Sequence, residues 1–251
     1  MEIGEAIAVA VMTTPKEDCW FCKEERKADD PKNDLDEDPD SKGKPENQLQ
    51  NDSSKLGQAL GHRPSWSIVV PKMTEPVGVV PAAHHLVPGN ASLKKVTKLL
   101  KYMKAGEKVS GDIGYDVNSR QNGVWLPGSY GVTEKSALQQ KWSAYEYQDL
   151  YAVEAMKRAR AQFHDSHPTY SEKVKKTLSC IADRIIANHP VKCPGCGKTL
   201  SEKARPPYGL VGRLNTVSRN HRRFLTGPIK KWPVGSGYFT SKRSSLMKTA
   251  S

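Results

Sequence analysis

No apolar run in this chain approaches the roughly 20 residues that a helix needs to span a bilayer, which excludes insertion into a membrane by a transmembrane helix. The apolar stretch from Ile3 to Met12 is too short and is preceded by acid. It also lacks a basic flank and a convincing cleavage site, so it does not read as a secretory signal. If the protein leaves its cell, another machine or an attached domain must carry it. Hydrophobic residues make up 37% of 251 residues, low for a chain packed throughout, so part of it is expected to lie outside any core.

Acidic residues are nearly missing from one end. From Lys198 to Ser251 there are twelve Lys/Arg and only Glu202, interleaved with Tyr208, Phe224, Trp232, Tyr238 and Phe239. Basic and aromatic side chains together suit phosphate neutralisation and base stacking, although a solvated tail has the same composition. The acid is concentrated elsewhere. Between Glu24 and Asp52 eleven Asp/Glu stand against five Lys/Arg, with little apolar besides Leu35 and Leu49. Such a stretch cannot bury enough surface to offset its ordering entropy and reads as a flexible acidic loop. Taking its six net negative charges from the chain's +12 leaves +18 on the remainder.

There are only five cysteines, and four form two C-x-x-C pairs, Cys19/Cys22 and Cys193/Cys196. Two such pairs have the spacing of a four-thiolate zinc site, in which no position is left for water, so the ion would be structural. Redox or disulfide pairing is the competing reading. A redox C-x-x-C belongs between a strand and a helix of a βαβ unit, and neither pair is so placed. Cys180 stands alone in a helical stretch, where a buried or partly buried free thiol is expected.

These features divide the chain into a segment with the first pair (1–23), the acidic loop (24–60), a core unit (61–190), and a segment with the second pair and the basic, aromatic-containing tail (191–251). Within the core, Val77 to Val80 is a short β-branched run expected to be a strand that delivers the residues after it. Ser92 starts a helical pattern through Leu93, Val96, Leu99, Leu100 and Met103, stopped by Gly106. Its other face carries Lys94, Lys95, Lys98, Lys101 and Lys104. Lys94 and Lys98 there, with Arg219, Arg222 and Arg223 in the tail, are candidates for phosphate contacts, against the plainer reading of a solvated face. Asn122-Gly123 turns into a second strand at Val124 to Leu126. One helix is expected over about 143 to 161. A longer one carries Val174, Leu178, Ile181 and Ile185, with Pro168 in its first turn and its end near His189-Pro190.

The chemistry concentrates in three ordered segments. Ala82-Ala83-His84-His85-Leu86-Val87-Pro88 ends an apolar run with two adjacent imidazoles. On extended backbone they face opposite sides, so one can hold a metal while the other takes a proton. Tyr115-Asp116-Val117-Asn118 leads to Asn122-Gly123-Val124-Trp125-Leu126-Pro127, and Phe163-His164-Asp165-Ser166-His167-Pro168-Thr169-Tyr170 follows. Taken singly, each has a structural reading: a histidine beside a strand is more often a hydrogen-bonded core residue, and Asn-Gly is usually only a turn. In order, the segments resemble the HNH endonuclease superfamily and, within it, the AHH family of bacterial toxin nucleases. The resemblance covers roughly Val77 to Ile186.

The resemblance implies an α+β, mainly helical protein with a ββα-metal core, further helices and, from the cysteine spacing, a four-cysteine zinc site. It implies His84 and His167 as ligands of a divalent ion (Mg, Mn, Zn or Ni), with His164 a further candidate ligand, and His85 as general base. Asn122 is implied as a catalytic residue, acting either as a ligand or by fixing the loop that carries the base, with Asp116 and Asn118 competing for the supporting role. His62, His189 and His221 have no such company and are expected to be non-catalytic. The activity implied is metal-dependent hydrolysis of DNA, with RNA also open, by a toxin made in the bacterial cytoplasm and delivered into a target cell by a secretion system or carrier domain. A cognate immunity protein would be its partner. Two alternatives stand beside this: a non-enzymatic, zinc-stabilised nucleic-acid-binding protein, and an HNH nuclease with a housekeeping or mobile-element role.

Overall fold

The computed structural model describes residues 46–106, 108–129, 145–188, 207 and 209–250. The mixture of helices and small antiparallel sheets follows the expected class, with six α-helices among the described residues. In chain order they are α1 (Ser53–Leu60), β1 (Trp66–Ile68), β2 (Val77–Val79), β3 (Pro81–His85), α2 (Thr97–Leu100), β4 (Gly123–Pro127), α3 (Tyr145–Ala159), α4 (Pro168–Asn188), α5 (Leu210–Leu225) and α6 (Lys242–Thr249).

The site is built on β3 and β4, which pair antiparallel with His84 opposite Val124 and His85 opposite Gly123. Two alanines and one glycine keep this hairpin thin, so α1 can lie across it. A Cβ on Gly123 would stand 2.6 Å from Leu56 Cδ1, which makes a side chain there incompatible with the close approach of α1. Behind the hairpin, α4 buries Tyr170, Val174, Leu178, Ala182 and Ile185. This stripe recurs every three or four residues, and each large member contributes about 1.5–3 kcal/mol by leaving water. The two strands and the helix are compatible with the ββα core that the resemblance implies, with α3 interposed in the chain. The β1–β2 hairpin packs instead with α3, Phe163, Trp232 and Phe239 in a second core.

Four expectations need correction. Residues 46–60 are not part of a flexible loop. Gln48 donates its N–H to Tyr115 O and accepts from Val117 N–H, Asp52 caps α1 by accepting from Ser54 and Lys55, and Leu56 is fully buried. Charge outweighs apolar content in this stretch as a whole, but its last residues satisfy their backbone against the core. The basic tail is likewise no tail where it is described: α5 buries Leu210, Leu214, Val217 and Leu225 in the same core as α4, and Ala161 pairs with Thr226. The helix expected from Ser92 to Met103 breaks into a 3-10 turn at Leu93–Lys95 and the short α2, with Val96 between them at φ −98°, ψ 70°. Leu93, Val96 and Leu99 are spaced by three, which suits a 3-10 turn as well as an α-helix. Cys180, expected to be buried or partly buried, is exposed on α4.

Candidate metal centre

Three imidazoles converge from three different elements. His84 comes from β3, His164 from a short bridge to Gly128 just past β4, and His167 from the residue before α4. Their ring centroids are 5.0, 5.0 and 5.1 Å apart, and one nitrogen from each lies within 4.8 Å of the others. Among the described residues these three form the one such group. His84 is buried, and its Nε2 has no hydrogen-bond partner. An orphaned buried imidazole nitrogen is costly, and in a ring packed against two other imidazoles it fits a shared cation.

The electrostatics point the same way. Burial, and then the charges of His164 and His167, hold His84 well below the ordinary imidazole range. Burial and His167 lower His164 to about 4, and burial lowers His167. All three are therefore neutral at pH 7, with lone pairs available, which is the state a metal ligand needs.

His85 faces away from this group, as alternation along a strand requires. Its Nε2 lies 2.9 Å from Asn118 Oδ1. That oxygen also accepts from Asp52 N–H, while Asn118 Nδ2 donates to Gln50 O, so the orientation of the amide is fixed by its neighbours. An acceptor opposite Nε2 means that Nε2 carries the hydrogen, which leaves Nδ1 as the basic atom. Burial lowers the pKa of His85, opposed by the Asn118 bond and by the charges of Asp116 and Asp52. Asp116 itself supports Asn118, accepting from its backbone N–H at 2.7 Å.

Asn122, expected in a catalytic role, has every polar atom engaged in the fold. Its Oδ1 accepts from Val87 N–H and Ser218 Oγ–H, and its Nδ2 donates to Val87 O and Val117 O. With both donors and both acceptor sites used, it ties the end of the β3 segment to the start of β4 and has nothing left for a metal. Of the candidate phosphate contacts, Lys94 bonds Gln50, and Lys98 pairs with Asp183. Arg222 caps the carbonyls of Arg120, Gln121 and Gly123, whereas Arg219 and Arg223 are exposed on α5. Cys19, Cys22, Cys193 and Cys196 lie outside the described residues, as does His189, and His62 is exposed away from this group.

From the sequence, Tyr170 had no role, and α5 was read only as part of a basic tail with Arg219, Arg222 and Arg223 as candidate phosphate contacts. The Tyr170 hydroxyl donates to Leu86 O at 2.8 Å, and its ring meets His84, His167 and His221 edge-on. The spacing His-Pro-x-Tyr carried that signal, since it places the tyrosine one turn into α4, above His167. The inward face of α5 was legible from its own periodicity, with Leu214, Val217, Ser218, His221 and Leu225 recurring at three and four.

Residues 70–189 match the model of AHH, a nuclease family of the HNH/ENDO VII superfamily with conserved AHH. The matched stretch holds His84, His85 and all three members of the imidazole group. No curated protein and no solved structure matches the chain.

Proposed function

We propose that this chain, whose residues 70–189 belong to the AHH nuclease family of the HNH/ENDO VII superfamily, is a divalent-metal-dependent endonuclease that hydrolyses DNA as an antibacterial toxin. The observation that carries the chemistry is the division of labour across β3. On one side His84, with His164 and His167, presents three neutral nitrogens to a cation, and on the other His85 keeps Nδ1 unprotonated.

When bound, the ion supplies charge stabilisation at the phosphoryl group and at the leaving oxygen. His85 Nδ1 accepts a proton from the attacking water, and Asn118 holds the ring in the tautomer that allows it. The water oxygen bonds to phosphorus as the bond to the 3′ oxygen breaks, and that oxygen takes a proton from solvent water, giving a 5′-phosphate and a 3′-hydroxyl. Tyr170 fixes the mouth of the group by holding Leu86 O and packing against His84 and His167. Arg219 and Arg223 on the outer face of α5 offer cations to the nucleic-acid backbone, consistent with a chain of net charge +12. Cys19, Cys22, Cys193 and Cys196 hold a structural zinc, a reading that rests on their spacing.

The toxin role rests on the family resemblance, and with it an immunity protein in the producer and a carrier that delivers the chain into the cytoplasm of a target cell. The test is plasmid digestion by purified protein with Mg²⁺, Mn²⁺, Zn²⁺ or Ni²⁺, with RNA alongside. Cutting by the wild type and none by His85→Ala, with fold and nucleic-acid affinity retained, is the expected result. Absence of any cutting under all four ions sinks the enzyme reading. Expression in a bacterium without an immunity protein separates a toxin from a housekeeping nuclease, since only the toxin causes His85-dependent loss of chromosomal DNA and viability.

A further inference from the structure

The segment that carries His164 is held from both sides. Toward β4, His164 N–H donates to Pro127 O at 2.7 Å and its carbonyl accepts from Ser129 N–H. The other side belongs to residues beyond the family match. Gln162 N–H donates to Leu225 O, Phe163 N–H to Ser244 Oγ, and Asp165 N–H to Thr240 O. The buried Gln162 amide reaches Phe224 O and Tyr238 O and accepts from Thr240 N–H. His164 thus sits on a strand-like segment whose second neighbour is the C-terminal part of the chain.

This arrangement brings Asp165, which lies between His164 and His167, against Arg243 on α6. Arg243 Nη1 donates to Asp165 Oδ2 at 2.9 Å, Nε to Asp149 Oδ1 at 2.6 Å and Nη2 to Gln148 Oε1 at 3.3 Å. Its guanidinium also lies over the Phe163 ring, 6.0 Å from the centroid. One planar group therefore ties the His164–His167 turn to α3. A guanidinium suits this task because its donors have fixed directions, so holding two residues of α3 fixes the third partner.

We propose that Arg243 is a positioning residue for the metal-binding pair His164 and His167, acting through Asp165, and that the working nuclease unit therefore extends to α6. The inference rests on the reading of His84, His164 and His167 as a metal centre. Arg243 does not touch the ion. It sets the turn on which two of the three imidazoles stand, and partners of this kind weigh on metal affinity by about ten- to a hundredfold when removed.

The test is Co²⁺ titration of the full chain, followed by visible absorption. His84→Ala serves as the blank, so any Co²⁺ held by the cysteines cancels. Arg243→Ala, Arg243→Lys, Asp165→Asn and the double variant Arg243→Ala/Asp165→Asn are compared, each with a melting temperature. Arg243→Ala is expected to weaken Co²⁺ binding about tenfold or more and to alter the band shape when titrated well below the melting temperature recorded for that variant. Arg243→Lys keeps the charge but not the fork and should recover the affinity only in part. The double variant should be no worse than the weaker single one, because both act on one link. Wild-type affinity and spectrum in Arg243→Ala, full recovery in Arg243→Lys, or independent losses in the double variant each overturn the proposal. If the wild type binds no more Co²⁺ than His84→Ala, the metal centre itself fails and the inference with it. That outcome is distinct from a wild type that binds normally beside an unaffected Arg243→Ala.

Discussion

Asn118 Oδ1 lies 2.9 Å from His85 Nε2 and 2.9 Å from the backbone nitrogen of Asp52, so a single amide oxygen joins the proposed base to the cap of α1. Because Asp52 in turn accepts from Ser54 and Lys55, the tautomer of His85 is set by a chain of bonds that begins outside the hairpin. The acidic residue that closes the loop region in the sequence is therefore part of the support of the site.

Asn118→Ala should lower the cleavage rate by about ten- to a hundredfold while leaving metal affinity unchanged, because the freed imidazole can then carry its hydrogen on Nδ1. Single-turnover cleavage with a parallel metal titration measures both quantities. An equal loss in metal affinity and rate would place Asn118 in support of the ion instead.

Asn122→Ala should act on stability first. It strands Val87 N–H, Val87 O, Val117 O and Ser218 Oγ in a buried place, where orphaned groups cost about 1–3 kcal/mol each, so a loss of about 3 kcal/mol or more is expected in chemical denaturation. Ser218→Ala, which removes one of these bonds, should cost about 1 kcal/mol. Unchanged stability with lost activity in Asn122→Ala would return this residue to contact with substrate.

The contrast between these two asparagines marks how far the sequence was legible. Strand alternation made it readable that His84 and His85 face opposite sides, while the roles of these two and of His167 came from the family resemblance. Periodicity also placed α3, α4 and β4 within a residue or two of where they stand. The asparagines were ranked by resemblance alone, Asn122 as catalytic and Asn118 as supporting, because what distinguishes them is which long-range groups meet them, namely Gln50 and Asp52 for Asn118 and Ser218 for Asn122. Residues 46–60 and α5 were misjudged for a related reason. Composition averages over a window, while order there depends on a few apolar residues such as Leu56 and Leu214 finding a distant core.

Metal content should separate the two proposed sites. Protein purified without chelators is expected to hold two ions, one lost in His84→Ala and the other in Cys193→Ala. Elemental analysis of the three proteins reads this directly. A Cys193→Ala protein that retains full metal content would remove the four-cysteine zinc site from the account.

His221 offers a test that does not pass through the metal. It is buried on α5, with its ring against Tyr170 and Phe224 at 5.2 and 5.7 Å between centroids, and its Nδ1 has no partner among the described residues. Burial, and then the charge of Lys173, push its pKa down to about 4. The unfolded chain, with an imidazole pKa near 6.5, binds this proton more readily over the interval between the two values. The stability contributed by neutral His221 is therefore complete above about pH 6.5, falls as pH drops toward 4 and levels off below that. The full span corresponds to about 3 kcal/mol as an upper limit. His221→Phe keeps a ring in place and removes the titration. Denaturation midpoints at pH 7.5 and pH 4.5 should show the variant gaining about 2 kcal/mol on the wild type at the lower pH. His84, His164 and His167 titrate in both proteins and largely cancel in the difference. An identical difference at the two pH values would mean that His221 meets water or an acceptor in solution, and that α5 is less tightly seated on Tyr170 than its packing indicates.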